Sequence, residues 1–348
     1  MRKLLTVSAL VLVILAGVSF TRKPVQSFEK KEKLSDYGFF LGPLADLTPR
    51  EDVIPYHLVT PLFSNYAEKS RFIVVPRGEK AEYNGEGVFN LPTGTVLIKN
   101  FYYPNDFRDP AKGRRIIETR ILVHETDGWK AYPYIWNDEQ TDAFYDVTGD
   151  TKSINYIDHR GKKVQTSYVI PNKNQCKGCH STGEVLLPIG IAARHLNTNF
   201  PYKQGPQNQL SHWMEKDILD KLPSGMIPRN SKWDDEKDGS LDDRARAYLD
   251  INCGHCHNPK GAANTSGLYL DIHTIQPNLY GVMKTPVAAG RGSGNFQFDI
   301  VPGKPDQSIL YYRMNTNDPG IAMPEIGREQ IHQEGLALIR EWIKKMNP

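Results

Sequence analysis

Residues 240–257 read SLDDRARAYLDINCGHCH. Ser240 with Asp243 three residues on is a helix N-cap pattern, and Leu241, Ala245, Tyr248 and Leu249 form one apolar stripe at helical spacing. The helix so predicted runs straight into Cys253-Gly254-His255-Cys256-His257. A second C-x-x-C-H lies at Cys176-Lys177-Gly178-Cys179-His180, and the two motifs hold all four cysteines of the 348-residue chain. C-x-x-C-H is the attachment signature for c-type haem. Two thiols three residues apart on a helical turn reach the two vinyl groups of one porphyrin, and the adjacent imidazole is held under the iron. At this composition about 0.001 such matches are expected by chance. The sequence predicts two covalently attached haem c groups, bound by Cys176, Cys179, His180, Cys253, Cys256 and His257, with His180 and His257 as proximal iron ligands.

Other uses of four cysteines fit less well. A disulfide framework leaves the His after each pair unexplained, and a thioredoxin-type dithiol needs a βαβ context that the pattern lacks. Zinc held by two C-x-x-C pairs usually has them about 15–20 residues apart, far closer than these motifs lie. His255, inside the second motif, reads as a bystander.

Distal ligands are read from position. Met323 lies in Asp318-Pro319-Gly320-Ile321-Ala322-Met323-Pro324, before a strongly amphipathic stretch from Glu329 to Met346, and is expected to ligate the second iron; His/Met ligation raises a haem potential relative to bis-His. Met283 and Met314 are the alternatives, Met314 at the end of an apparent helix over residues 308–313 and more in keeping with core. Around the first motif Met226, in Gly225-Met226-Ile227-Pro228, is the leading candidate, with His195 and Met214 behind it and an open iron also allowed. His195 reads as a surface histidine and Met214 as core.

Arg2 and Lys3 precede the apolar run Leu4 to Phe20, a charged n-region and an h-region, so export to the periplasm or beyond is expected. Residues 1–20 read as a signal peptide or an uncleaved N-terminal anchor, which would be the only membrane attachment. Residues 21–35 read as a polar tether. Strand signals follow in Gly94 to Phe101, in Ile116 to Val123, and in Trp129 to Trp136 after a Thr126-Asp127-Gly128 turn. Tyr156-Ile157 and Tyr168 to Ile170 form a further pair. Beyond Pro171 the pattern turns to helix and loop, with helical spacing over Asn208 to Leu222. The fold class expected is multidomain α+β: a β-rich domain at 36–171, then a mostly α-helical haem region, with a first haem-binding segment at 172–235 and a cytochrome c-like domain at 236–348.

The 43 basic and 40 acidic side chains leave a net charge of +3 without a basic block, which argues against nucleic-acid binding. The segment Pro61 to Phe72, the run Leu91 to Val96, Ile117-Glu118-Thr119-Arg120, Trp136-Asn137-Asp138, Asn174 to His180 and Tyr248 to Pro259 together resemble a family of exported two-haem c-type cytochromes, largely uncharacterised, over most of the chain from about residue 36. The resemblance implies electron transfer with a protein redox partner, and family members are often encoded beside a parallel β-helix protein. An enzyme of two-haem peroxidase type is the rival reading, with Glu184 or His195 as the local acid–base groups. A third makes the β-rich domain a docking module, although Trp129, Tyr132, Tyr134 and Trp136 read as core.

Overall fold

The computed structural model describes residues 28–183, 185–287 and 289–347. The predicted signal or anchor segment, the first part of the tether and Glu184 lie outside them. Among the described residues no helix is long and apolar enough to cross a membrane.

Two short strands, β1 (Phe40–Leu41) and β2 (Thr48–Pro49), precede a six-stranded antiparallel meander of β3 (Ile54–Tyr56), β4 (Glu68–Val74), β5 (Val96–Pro104), β6 (Arg114–Glu125), β7 (Gly128–Trp136) and β8 (Ala143–Tyr145), paired in chain order. Alternation along these strands gives the sheet two apolar faces. Phe72, Ile98, Ile121, Tyr134 and Trp136 lie on one, under Leu34, Phe39 and Phe40 of the N-terminal segment. Ile73 and Leu97 lie on the other, against Ile191, Leu196 and Trp213. A ribbon of β9 (Asp150–Ile157) and β10 (Lys163–Ile170) covers the far end of that second face, where Phe101 and Ile117 meet Ile154 and Tyr168. Each such side chain, buried completely, contributes about 1.5–3 kcal/mol of transfer free energy.

The chain then runs through α1 (Lys173–His180), the hairpin β11 (Ser181–Thr182) and β12 (Val185–Leu186), α2 (Ala193–Leu196), the hairpin β13 (Asn199–Tyr202) and β14 (Gly205–Asn208), and α3 (Gln209–Glu215). α4 (Leu241–Leu249) continues into one π-helical turn, Asp250–Gly254. α5 (Ile309–Met314) and α6 (Gln333–Lys345) close the fold. α4 and α6 pack directly: Trp342 Nε1 donates to Asp242 at 2.8 Å, and Gly335 lies so near Tyr248 that a Cβ there would meet its ring at 2.4 Å.

The fold class therefore differs from the expectation. Helix occupies 22% and strand 27% of the chain, so the part after residue 171 is not a mostly α-helical haem region ending in a helical cytochrome c-like domain. Helix breakers decide this. Pro188, Gly190, Pro201, Gly205 and Pro206 restrict residues 181–208 to turns, hairpins and the single helical turn of α2, and Pro259, Gly261, Gly267, Pro277, Gly281 and Pro286 keep the stretch after the second motif irregular. The helix expected over Asn208 to Leu222 stops at Glu215, because Asp217 adopts φ 60°, a left-handed conformation no helix continues through.

Candidate functional site

Both motifs are held by local capping. Pro171 ends β10, and Asn172 caps α1 reciprocally with Gln175: Gln175 N donates to Asn172 Oδ1 at 2.9 Å and Asn172 N to Gln175 Oε1 at 2.8 Å. Ser240 and Asp243 cap α4 in the same way. At the end of the second motif the Asn258 side chain donates to the Gly254 and His255 carbonyls at 2.8 and 3.1 Å. Gly254 is required there, since a Cβ would come within 2.8 Å of Asp271 Cα.

The motif histidines share one arrangement. His180 Nδ1 lies 2.8 Å from the Leu187 carbonyl, and His257 Nδ1 3.2 Å from the Leu268 carbonyl. A carbonyl only accepts, so each Nδ1 carries the proton and each Nε2 keeps its lone pair, the tautomer of an imidazole oriented for a metal. Burial favours the neutral form of both, pulling His180 down to about 4 and His257 below its usual value.

The motifs also meet each other. The Cys256 thiol donates to the Gly178 carbonyl at 3.7 Å, and Cys256 and Cys179 line the same cavity. Gly183 N donates to the Lys260 carbonyl at 3.1 Å. The neighbouring Cys256 thiol and His255 ring favour thiolate at Cys179, the proton stays on Cys256, and burial raises Cys176 and takes Cys253 up to about 12. His255 lines the cavity beside Cys179 and Cys256, with Nδ1 3.2 Å from the Ile251 carbonyl. All four cysteines are free.

A cavity of about 620 Å³ opens at this junction, within the range of about 300–1,000 Å³ typical of ligand pockets. Cys179 enters it from the first motif, Cys253, Cys256 and His257 from the second, and Met323 from the loop before α6. The Met323 loop is held by two arginines. Arg313 Nε donates to the Ile321 carbonyl at 2.8 Å, Met323 N donates back to the Arg313 carbonyl at 3.1 Å, and Arg328 donates to the Met314 carbonyl at 2.6 Å. Arg313 interrupts the apolar run of α5, which was the available sequence signal for it. His332 stacks on Phe63 at a ring separation of 4.2 Å and bonds the Tyr248 hydroxyl at 2.9 Å.

The remaining candidates are elsewhere. Met226 is 97% exposed and does not line the cavity, so the structure does not bring it to either motif. Met283 is half-exposed and outside the cavity; Met314 lines it from within the α4–α5–α6 core. Met214 is exposed, not core. His195 is buried, not on the surface, with Nε2 3.4 Å from Asp250 Oδ2. That carboxylate also accepts from Arg194 at 2.8 Å, Asn230 at 2.9 Å and Ile272 N at 3.1 Å, tying α2 to the turn that delivers Cys253.

The donor set fits a covalently held porphyrin: paired free thiols, an oriented neutral imidazole at each pair, a partly apolar cavity and a thioether across it. Among the described residues no three His, Cys, Asp or Glu side chains converge as a bare metal site would need. The chain matches no family model, no curated protein and no solved structure.

Proposed function

We propose that the chain is an exported di-haem c-type cytochrome that transfers electrons with a protein redox partner. The observation that carries this reading is the meeting of the two C-x-x-C-H motifs, Cys256 donating to the Gly178 carbonyl and both Cys179 and Cys256 lining one cavity. Groups attached at these sulfurs start from a common point, so an electron on one is near the other. Bound haem would supply the one-electron chemistry needed to pass an electron from a reduced donor protein to an oxidised acceptor.

The chain's own residues bind and orient. Cys176, Cys179, Cys253 and Cys256 anchor; His180 and His257 present Nε2 with Nδ1 fixed on a carbonyl; Met323 offers its thioether at the second site, and Arg313 and Arg328 hold the loop that carries it. The partner in view is a redox protein, and the parallel β-helix protein implied by the family resemblance is the first to test. Export follows from the N-terminal sequence. A pyridine haemochrome assay on the purified protein should give two haems per chain, retained through acid–acetone extraction, and a reductive titration should show two one-electron steps. One haem or none overturns the proposal, and turnover of peroxide would replace electron transfer with the peroxidase reading.

A further inference from the structure

Three strands of the sheet carry a line of cations on the face that meets the first motif. The register sets Arg71 of β4 opposite Lys99 of β5, and Lys99 opposite Arg120 of β6. Like charges directly opposite one another destabilise a sheet. Lys69, two residues before Arg71, joins them with its Nζ on the Leu62 carbonyl at 2.9 Å. Lys99 Nζ and the Arg120 guanidinium both approach one aromatic ring, 4.8 and 4.4 Å from the Phe101 ring centre. The cluster lies between two apolar cores, with Ile73 and Leu97 on one side and Phe101 and Ile117 on the other.

One buried carboxylate faces these cations, and it is already engaged. Glu118 accepts from Arg120 Nε at 2.7 Å and Nη2 at 2.5 Å, and from the Tyr168 hydroxyl at 2.7 Å. Arg71 is only 6% exposed, yet its Nη2 has no hydrogen-bond partner. Burial pulls Lys69 down to about 7 and depresses Lys99 and Arg71 as well. An unpaired buried cation costs several kcal/mol, so Arg71 is balanced only when an anion joins it.

We propose that buried Arg71, with half-buried Lys69 and Lys99 beside it, forms a carboxylate site on the sheet next to α1, which receives the propionate groups of the porphyrin attached at Cys176 and Cys179. The inference rests on the haem reading above. Its support is placement: the row Arg71, Lys99 and Arg120 ends on Pro133 of β7, and α1 packs on that strand, with Lys173 Nζ 5.5 Å from the Tyr132 ring centre. A porphyrin held there brings two carboxylates on flexible arms, the chemistry this cluster lacks.

The test uses the full haem-loaded protein with Arg71→Met and Lys99→Met, and Lys163→Met on the exposed β10 surface as control. With two haems per chain, the expected result is a shift of one haem's propionate-bending band in resonance Raman spectra, a lower reduction potential for that haem alone, and a lower Tm. Unchanged bands and potentials with a raised Tm overturn the site, since replacing a buried cation that has no partner stabilises a fold. Fewer than two haems in the wild type would sink the haem reading and this site together; two haems with silent variants sink this site alone. The source of the carboxylate is read in Cys176→Ala/Cys179→Ala, where Lys99→Met should now raise the Tm. If it still lowers the Tm, and added succinate raises that of the parent, the ligand is a free carboxylate and the propionate assignment is overturned.

Discussion

His180 ends a capped helix laid on a sheet face that carries Lys99 and Arg120, whereas His257 closes a turn walled by irregular segments from Leu268, Met323 and Arg328. Inside the two motifs the chemistry is alike, down to the backbone carbonyl that fixes each Nδ1. Outside them it diverges. The first site borrows rigidity from six hydrogen-bonded strands and takes charged neighbours with it. The second borrows from arginines that pin loop carbonyls, and takes a thioether. A short motif thus sets the orientation of its own ligand, and the surroundings set what that ligand's metal would experience.

The contrast breaks most readily at the residue joining the two halves. Asp250→Ala leaves Arg194, Asn230 and the Ile272 N–H without their shared acceptor, and should cost about 3–5 kcal/mol in urea unfolding; a loss below about 1 kcal/mol would mean that the halves do not depend on this carboxylate. Acid should show the same joint. Its neighbours hold Asp250 at about 2 against an ordinary 3.8, so its stabilisation is complete above pH 3.8 and lost as pH falls towards 2. Burial holds His195 at about 4 against 6.5, so its neutral form favours folding above pH 6.5, and that contribution is lost as pH falls from 6.5 through 4. His195→Gln should flatten the stability profile in that upper window, and an unchanged slope there would refute the assignment.

Met323→Ala sharpens the comparison by touching one site only. One reduction potential should drop by roughly 0.1 V and the near-infrared Met–iron band disappear, with the other potential fixed; if neither moves, Met314 on the same cavity becomes the ligand to test. Asn65→Ala probes the seam between sheet and cavity. The Asn65 side chain accepts from Glu329 N at 2.7 Å and Gln330 N at 3.1 Å, and its φ of 49° suits Asn better than Ala. The expected loss is about 1–3 kcal/mol with both haem spectra intact, and a spectral change without a stability loss would relocate its role to the site. Met226→Ala should do least, leaving spectra and potentials alone and stability within about 0.5 kcal/mol. A shift at either haem would show that this exposed residue folds inward in the loaded protein.

Periodic and local features were legible in the sequence. The hairpin at Thr126-Asp127-Gly128, the Ser240–Asp243 cap and the terminal amphipathic stretch each depend on residues a few positions apart, and each forms where its pattern lies. What was not legible is pairing at a distance. Arg71, Lys99 and Arg120 become neighbours only through strand register, Asp250 meets Arg194 across 56 residues, and no spacing rule reveals either. Helix content was overestimated because hydrophobic spacing continued past Asp217, whose left-handed backbone ends α3. His195 and Met214 exchange their expected environments for a related reason: which side of a short helix is covered depends on the sheet it meets.

The stacking of Phe63 on His332 has a consequence for how the molecule is made. Together with the Asn65–Glu329 contact it closes a loop of 264 residues, and such closure carries an entropic cost that rises with the logarithm of length. Contacts so far apart in sequence form late in folding. During synthesis the cavity wall at Phe63 waits for almost the whole chain to be delivered before it meets its opposite side, so Cys253 and Cys256 stay open to solvent for most of that time. Residues 236–347 produced alone would lack Phe63 and Cys179, and their cavity would face solvent where the full chain shields it.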